Sequence, residues 1–236
     1  MKVLVVTTQV PFVFGGAELL AQNLIDSLRK HGHEAELVAI PFRWYPPEKI
    51  LDSMLSCQLL DLSNFNGENV DKVIALKFPA YLIPHPNKTY WLLHQHRTAY
   101  ELWGTKFGDL EHYPNGIQVR NAINDVDNKL FQETERLYTI SINVAKRLQE
   151  YNQALATPIY HPPNNHENFF TSSYEPFFFF PSRINAIKRQ SLVIRALAKA
   201  KNNARVVFAG KCDNSAYMSE LTKLVEQSNA TDKVVW

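Results

Sequence analysis

Cysteine is scarce: Cys57 and Cys212 are the only two in 236 residues. Neither belongs to a Cys-x-x-Cys pair, which excludes a disulfide scaffold, a thiolate zinc site and a dithiol redox centre, and a reducing compartment is expected. Glycine is sparse too, with 8 against 13 prolines and no period, so collagen-like and low-complexity architectures fail. Long apolar runs are missing. The first, Val3 to Val6, is shorter than the ~7 to 15 residues of a signal-peptide core, and no run approaches the ~18 needed to span a bilayer. The expected location is cytoplasmic, with the inner face of a membrane as the alternative. There is no excess of one charge either: 25 Lys and Arg against 23 Asp and Glu leave +2, too little to argue for a nucleic-acid partner. What is present, 45% hydrophobic and 20% charged residues, suits one large or two small globular domains.

The chain opens with Lys2 to Thr8, an apolar and β-branched run of the kind buried on both faces of a parallel sheet. A glycine turn follows, then Leu20, Ala21, Leu24 and Leu28 at helical spacing from Ala17 to His31, with Gly32 placed to end the helix. A second strand covers Glu36 to Ile40. This opening predicts an α/β, Rossmann-like doubly wound parallel sheet whose ligands sit at the carboxyl ends of the strands. The alternation continues with a helix over 48–56, strands over 72–77 and 89–93, a helix over 117–135, a strand over 136–140 and a helix over 144–151. The segment 161–168, rich in Pro, Asn and His, together with Ser172, Ser173 and Pro176, reads as a linker. Domains are therefore expected over 1–170 and 171–236. The first carries 15 basic and 18 acidic residues, the second 10 and 5, which points the second toward an anionic partner.

The pattern then restarts with Phe177 to Phe180 as a buried strand, followed by a helix over 190–200, a strand over 205–209, a helix over 215–226 and a strand from Val234. It stops in mid-pattern at Trp236, inside an apolar run. Two strands and a fragment can hardly bury their faces, so the sequence is expected to be truncated within its second domain, with a natural short protein as the other option.

Four places could carry chemistry. Gly15-Gly16 lies where the first strand meets its helix, with Glu18 just inside. Paired glycines admit a ligand to the backbone, and free helix amides suit phosphate. The pattern is not Gly-x-Gly-x-x-Gly, and no carboxylate ends the second strand, so a nicotinamide or flavin dehydrogenase is disfavoured. His94-Gln95-His96-Arg97 follows a central strand. Two histidines at i and i+2 lack a third metal ligand, but one imidazole can face the crevice and bind a polar substrate. In the second domain, Pro181-Ser182-Arg183 through Lys188 brings a basic loop to a helix start, where it could meet a diphosphate. This loop and Gly15-Gly16 are expected to face one another across a cleft. Finally, Phe42-Arg43-Trp44-Tyr45 could sit at a lipid headgroup layer or pack as a solvated loop.

Gly15-Gly16-Ala17-Glu18, a histidine after a central strand, Ser141 opening Ser-Ile-Asn-Val-Ala-Lys-Arg-Leu, Pro162-Pro163, and Ser182-Arg183 with Lys188 together resemble glycosyltransferase family 4. The resemblance implies a GT-B architecture of two Rossmann-like domains, an acceptor side first and a nucleotide-sugar donor side second. It implies retaining, metal-independent sugar transfer from a UDP- or GDP-sugar to a glycan or lipid-linked acceptor, with no further cofactor. On that analogy Gly15, Gly16, Arg183 and Lys188 serve the donor diphosphate. His94, or else His96, contacts the transferred sugar, and Glu18, Arg97 and Ser141 border the cleft.

The chain departs from the family in two respects. Pro162-Pro163 is followed by Asn164, Asn165 and His166 without the usual acid, and no pair of glutamates eight apart follows Arg183. A GT-B-fold sugar-nucleotide epimerase and a non-catalytic binding protein lacking a donor site are the alternatives. Asp125-Val-Asp127 imitates the Asp-x-Asp metal motif of another glycosyltransferase class but lies in a helical pattern, where it reads as a solvated face.

Overall fold

The computed structural model describes residues 1–236 and divides into two compact units, Met1–His166 and Glu167–Trp236.

Unit 1 is built on strands β1 (Lys2–Gln9), β2 (Glu34–Pro41), β5 (Lys72–Lys77), β6 (Lys88–His94), β7 (Leu137–Thr139) and β8 (Thr157–Pro158), which form one sheet in the order β2-β1-β5-β6-β7-β8. Every pairing in it is parallel. Helices α1 (Gly16–Lys30), α2 (Glu48–Leu59), α3 (Gly116–Gln132) and α4 (Ile142–Asn152) accompany it.

Side-chain alternation along the strands divides the core between the two faces. Val3 and Val5 of β1 pack with Leu20, Ala21 and Ile25 of α1. Val6, Ala75 and Leu92 pack on the other side with Ile50 and Met54 of α2, Ile123 of α3 and Leu148 of α4. Each fully buried Leu, Ile or Val contributes about 1.5–3 kcal/mol relative to exposure. The Glu18 side chain accepts from the Gly15 backbone N–H at 2.9 Å and closes the first turn of α1. Gly32, at φ +79°, follows that helix's last turn.

A short hairpin, β3 (Asn64–Phe65) with β4 (Glu68–Asn69), was not foreseen from the pattern. Its signal was Asn66-Gly67, whose φ values of +52° and +79° are those of a tight hairpin turn. The third helix ends at Gln132 rather than Glu135, because residues 133–136 are needed to turn the chain back into the sheet.

The reading of Asp125-Val-Asp127 as a solvated helix face holds for Asp125 and fails for Asp127, which is 0% exposed. Positions i and i+2 point to different sides of a helix, so with Asp125 facing outward Asp127 faces inward. Asp127 shares the inward stripe of α3 with Val119, Ile123 and Phe131.

Unit 2 has the parallel sheet β11-β10-β9, from β9 (Phe177–Pro181), β10 (Arg205–Ala209) and β11 (Val234–Val235), with helices α5 (Gln190–Lys199) and α6 (Ser215–Gln227). Ile194, Leu197, Val206, Phe208, Leu221 and Val225 form its core. The expectation that Phe177 to Phe180 is buried is not met. Phe178 and Phe179 are 65% and 61% exposed although they point to opposite faces, because β9 is an edge strand with β10 as its one neighbour. Only Phe180 reaches the core, edge-on to Phe208.

Candidate active site at the carboxyl ends of the first sheet

The strands β1, β5 and β6 end together. An irregularity between Ala75 and Lys77 shifts the register of β5, so that Lys77 stands opposite His94. A cavity of about 190 Å³ opens there, lined by Thr8, Phe42, Trp44, Lys77, His94 and His96 among others. Thr8 Oγ1 donates to the Phe78 carbonyl at 2.8 Å, which fixes one wall. A larger cavity of about 650 Å³ sits at the opposite end of the sheet, where Lys2 pairs with Glu34 and Glu68. The smaller one occupies the end at which parallel α/β sheets bind ligands and carries the concentrated chemistry.

Lys77 was missed by the sequence reading, because a lysine ending an apolar strand looks like ordinary solvated charge. It is 14% exposed, and its Nζ lies 3.2 Å from Glu18 Oε1. The other Glu18 oxygen accepts from Gly15 N. Glu18 thus links the glycine turn to the cavity wall, and Lys77 supplies the positive charge.

His94 Nδ1 lies 2.7 Å from the Gln95 carbonyl oxygen, which can only accept. The proton therefore resides on Nδ1, and Nε2 of the neutral ring is an acceptor. Burial, the largest cause, holds His94 below the ordinary imidazole range against the upward pull of the Gln95 hydrogen bond; the Lys77 and Arg97 charges add to the lowering and Glu101 opposes it. His96 is set among the rings of Phe42 and Phe78, at centroid distances of 6.0 and 5.0 Å, with Nε2 3.1 Å from Thr98 Oγ1. Burial, with His94 beside it, pushes His96 down to about 3. At neutral pH both rings are uncharged and can orient a hydroxyl without repelling Lys77.

The remaining expected residues lie elsewhere or have other partners. Arg97 Nε bonds Glu101 Oε1 at 2.7 Å, and Arg147 of α4 meets the same oxygen at 3.0 Å, so this cluster ties the loop to α4. Ser141 caps α4, its Oγ accepting from Val144 N at 3.3 Å. Phe42 packs inward on Phe78, whereas Trp44 and Tyr45 stand 36% and 49% exposed, edge-on to each other. Gly15 and Gly16 form the turn entering α1.

In unit 2, Arg183 is not free: it meets Asp213 Oδ2 at 3.2 Å, and Asn185 Nδ2 donates to the same oxygen at 2.8 Å. Asp213 also escaped the sequence reading; its place just after β10 was the available signal. Lys188 ends an exposed turn immediately before α5. The side chains form no cluster of three or more His, Cys, Asp or Glu that could hold a metal ion.

No protein-family model matches the sequence, and no curated protein matches it. Solved structures do match in fold. The chain aligns over 99% of its length with Anabaena Alr3699/HepE, solved in complex with UDP and glucose, at a TM-score of 0.54 and 17% identity, covering 68% of that chain. The fold is GT-B-like. The lipopolysaccharide outer core galactosyltransferase WaaB aligns over the whole chain at a TM-score of 0.51 and 12% identity, covering 67% of WaaB. The catalytic domain of starch synthase IV from Arabidopsis thaliana, bound to ADP and acarbose, gives 0.50 and 10% over 99% of this chain and 73% of its own. The GT-B-like chain thus spans about two thirds of the first two and somewhat more of the third.

Proposed function

We propose that this chain provides the acceptor side and part of the donor side of a nucleotide-sugar-dependent glycosyltransferase that acts with retention and without a metal. The observation that carries the reading is the opposition of Lys77 and His94 at the carboxyl end of the first sheet, beside the Gly15-Gly16 turn. His94 Nε2, left as an acceptor, would take a hydrogen bond from a hydroxyl of the transferred sugar. The GT-B-like neighbour that holds UDP and glucose supports a nucleoside diphosphate and a hexose as ligand classes.

In the proposed reaction the bond from the anomeric carbon to the diphosphate oxygen breaks and a bond to an acceptor hydroxyl oxygen forms. The acceptor proton passes to the departing diphosphate. Arg183 and Lys188 would offset the charge on that leaving group, a contribution often large in such transfers. The acceptor would be a glycan or a lipid-linked saccharide.

The test is calorimetric titration with UDP-glucose and GDP-mannose, alongside product analysis with simple glycan acceptors. Saturable binding of one donor that weakens at least tenfold in an Arg183→Ala, Lys188→Ala double variant is expected. Loss of turnover in His94→Ala with donor binding retained would support the role given to that ring. Absence of binding to either donor at millimolar concentration overturns the donor assignment.

A further inference from the structure

Behind the cavity, on the interior side of the same loops, lies a set of polar side chains that no step described so far uses. His94 and His96 line the cavity, and Gln95 between them turns inward and is 2% exposed. Its Nε2 donates to Oδ1 of Asn152, which is 1% exposed at the end of α4. Asn152 Nδ2 donates to Asn128 Oδ1 at 2.7 Å and also lies 3.3 Å from Tyr100 Oη. The Tyr100 hydroxyl donates to Asp127 Oδ2 at 2.8 Å, and the Tyr81 hydroxyl donates to Asp127 Oδ1 at 2.7 Å.

Asp127 therefore holds two loops at once. Tyr81 belongs to the short turn Ala80–Leu82 that follows Lys77 and Phe78, and Tyr100 to the turn that follows His94 and His96. The carboxyl group is 0% exposed and has no cationic partner. An ionisable group there is a costly way to fill space, since an apolar side chain of like volume stabilises such a site as well or better. A network whose members bond one another instead selects a single geometry.

We propose that Asp127 is a positioning residue: through Tyr81 on one side, and through Tyr100, Asn152 and Gln95 on the other, it fixes the two loops that present Lys77, His94 and His96 to the cavity. This rests on the reading of that cavity as the active site, but the arrangement can be examined without any substrate. Asp127→Asn keeps an acceptor for one tyrosine, Asp127→Leu removes both, and Tyr100→Phe cuts the link to Asn152 while leaving Tyr81 in place.

The experiment records the ring C–H signals of His94 and His96 by NMR in each variant of the full chain, assigned through His94→Gln and His96→Gln, with circular dichroism to confirm folding. Graded displacement is expected, largest for Asp127→Leu and smaller for Asp127→Asn, with Tyr100→Phe moving both histidines in a chain that unfolds at nearly the wild-type temperature. Folded variants whose histidine signals and titration curves coincide with wild type overturn the proposal and leave Asp127 as a filler of the core. If Asp127→Leu does not fold, Tyr100→Phe and Asp127→Asn decide the matter alone. Failure of donor binding in wild type would remove the transferase reading, yet the histidine signals would still report on the network.

Discussion

Lys77 Nζ stands 3.2 Å from Glu18 Oε1, joining the end of a central strand to the first turn of α1. The two side chains are 14% and 15% exposed, so the pair is screened less than a surface ion pair. Breaking it from one side leaves a largely buried charge without its partner. Lys77→Met and Glu18→Gln are each expected to lower stability by about 1–3 kcal/mol, the cost of leaving a buried polar group without its partner. The double variant should lose less than the two single losses added, as measured by urea unfolding. Additive losses would mean that the pair does not couple the turn to the strand.

Asp127 and His96 predict opposing pH dependences. Burial pushes Asp127 up to about 7, so the folded chain keeps a proton that an unfolded carboxyl, at about 3.9, has released. Its contribution is fully present below about pH 4 and is lost as pH rises through about 7. His96, pushed down to about 3 against about 6.5 unfolded, contributes fully above about 6.5 and loses that contribution as pH falls toward 3. Between about pH 4.5 and 6.5 the two slopes offset each other. Asp127→Asn removes one of them, so its stability relative to wild type should grow with pH by up to about 1.4 kcal/mol per unit across that window. Denaturation midpoints measured at several pH values check this, and a constant difference would show that Asp127 titrates normally.

Gly16 separates fold from function. A Cβ built there meets nothing within 4 Å, and the residue opens α1. Gly16→Ala should leave thermal stability unchanged or raise it by up to about 1 kcal/mol, since alanine is the better helix residue. If a ligand approaches this turn closely, donor or acceptor affinity should nevertheless drop. Unchanged affinity and turnover in this variant would take the glycine turn out of the site.

Gly210 should behave in the opposite way. A Cβ there would lie 2.1 Å from the Ser182 carbonyl oxygen, which is backbone and cannot step aside cheaply. Gly210→Ala is expected to destabilise unit 2 by about 1–3 kcal/mol. Trp236, stacked on Phe208 at 5.1 Å between ring centroids, gives a fluorescence signal for that unit. An unfolding transition unchanged in this signal would contradict the close approach.

Much of the fold was legible in advance because apolar periodicity is written in consecutive residues. Val3 to Val6, and Leu20, Ala21 and Leu24, identify a buried strand and its helix without reference to anything distant. The hairpin at Asn66-Gly67 is written in two turn residues only, and it interrupts the β-α alternation that the longer elements set. The site was legible only in outline. His94 and His96 could be placed at a strand end, yet which neighbours would meet them depended on contacts across tens of residues, such as that of Lys77 with Glu18.

The sequence by itself determined the alternation of strands and helices, the glycine turn and the position of the histidine pair, because local spacing and turn chemistry specify these. Tertiary structure alone decided which charges are buried and with what partners. It turned Asp127 into the core, engaged Arg183 with Asp213, and left Phe178 and Phe179 on an open edge. The physical reason is that burial and hydrogen bonding belong to pairs of elements brought together in space. A helix face or a strand edge acquires its environment from its neighbours in the fold, and no run of consecutive residues records which neighbours those are.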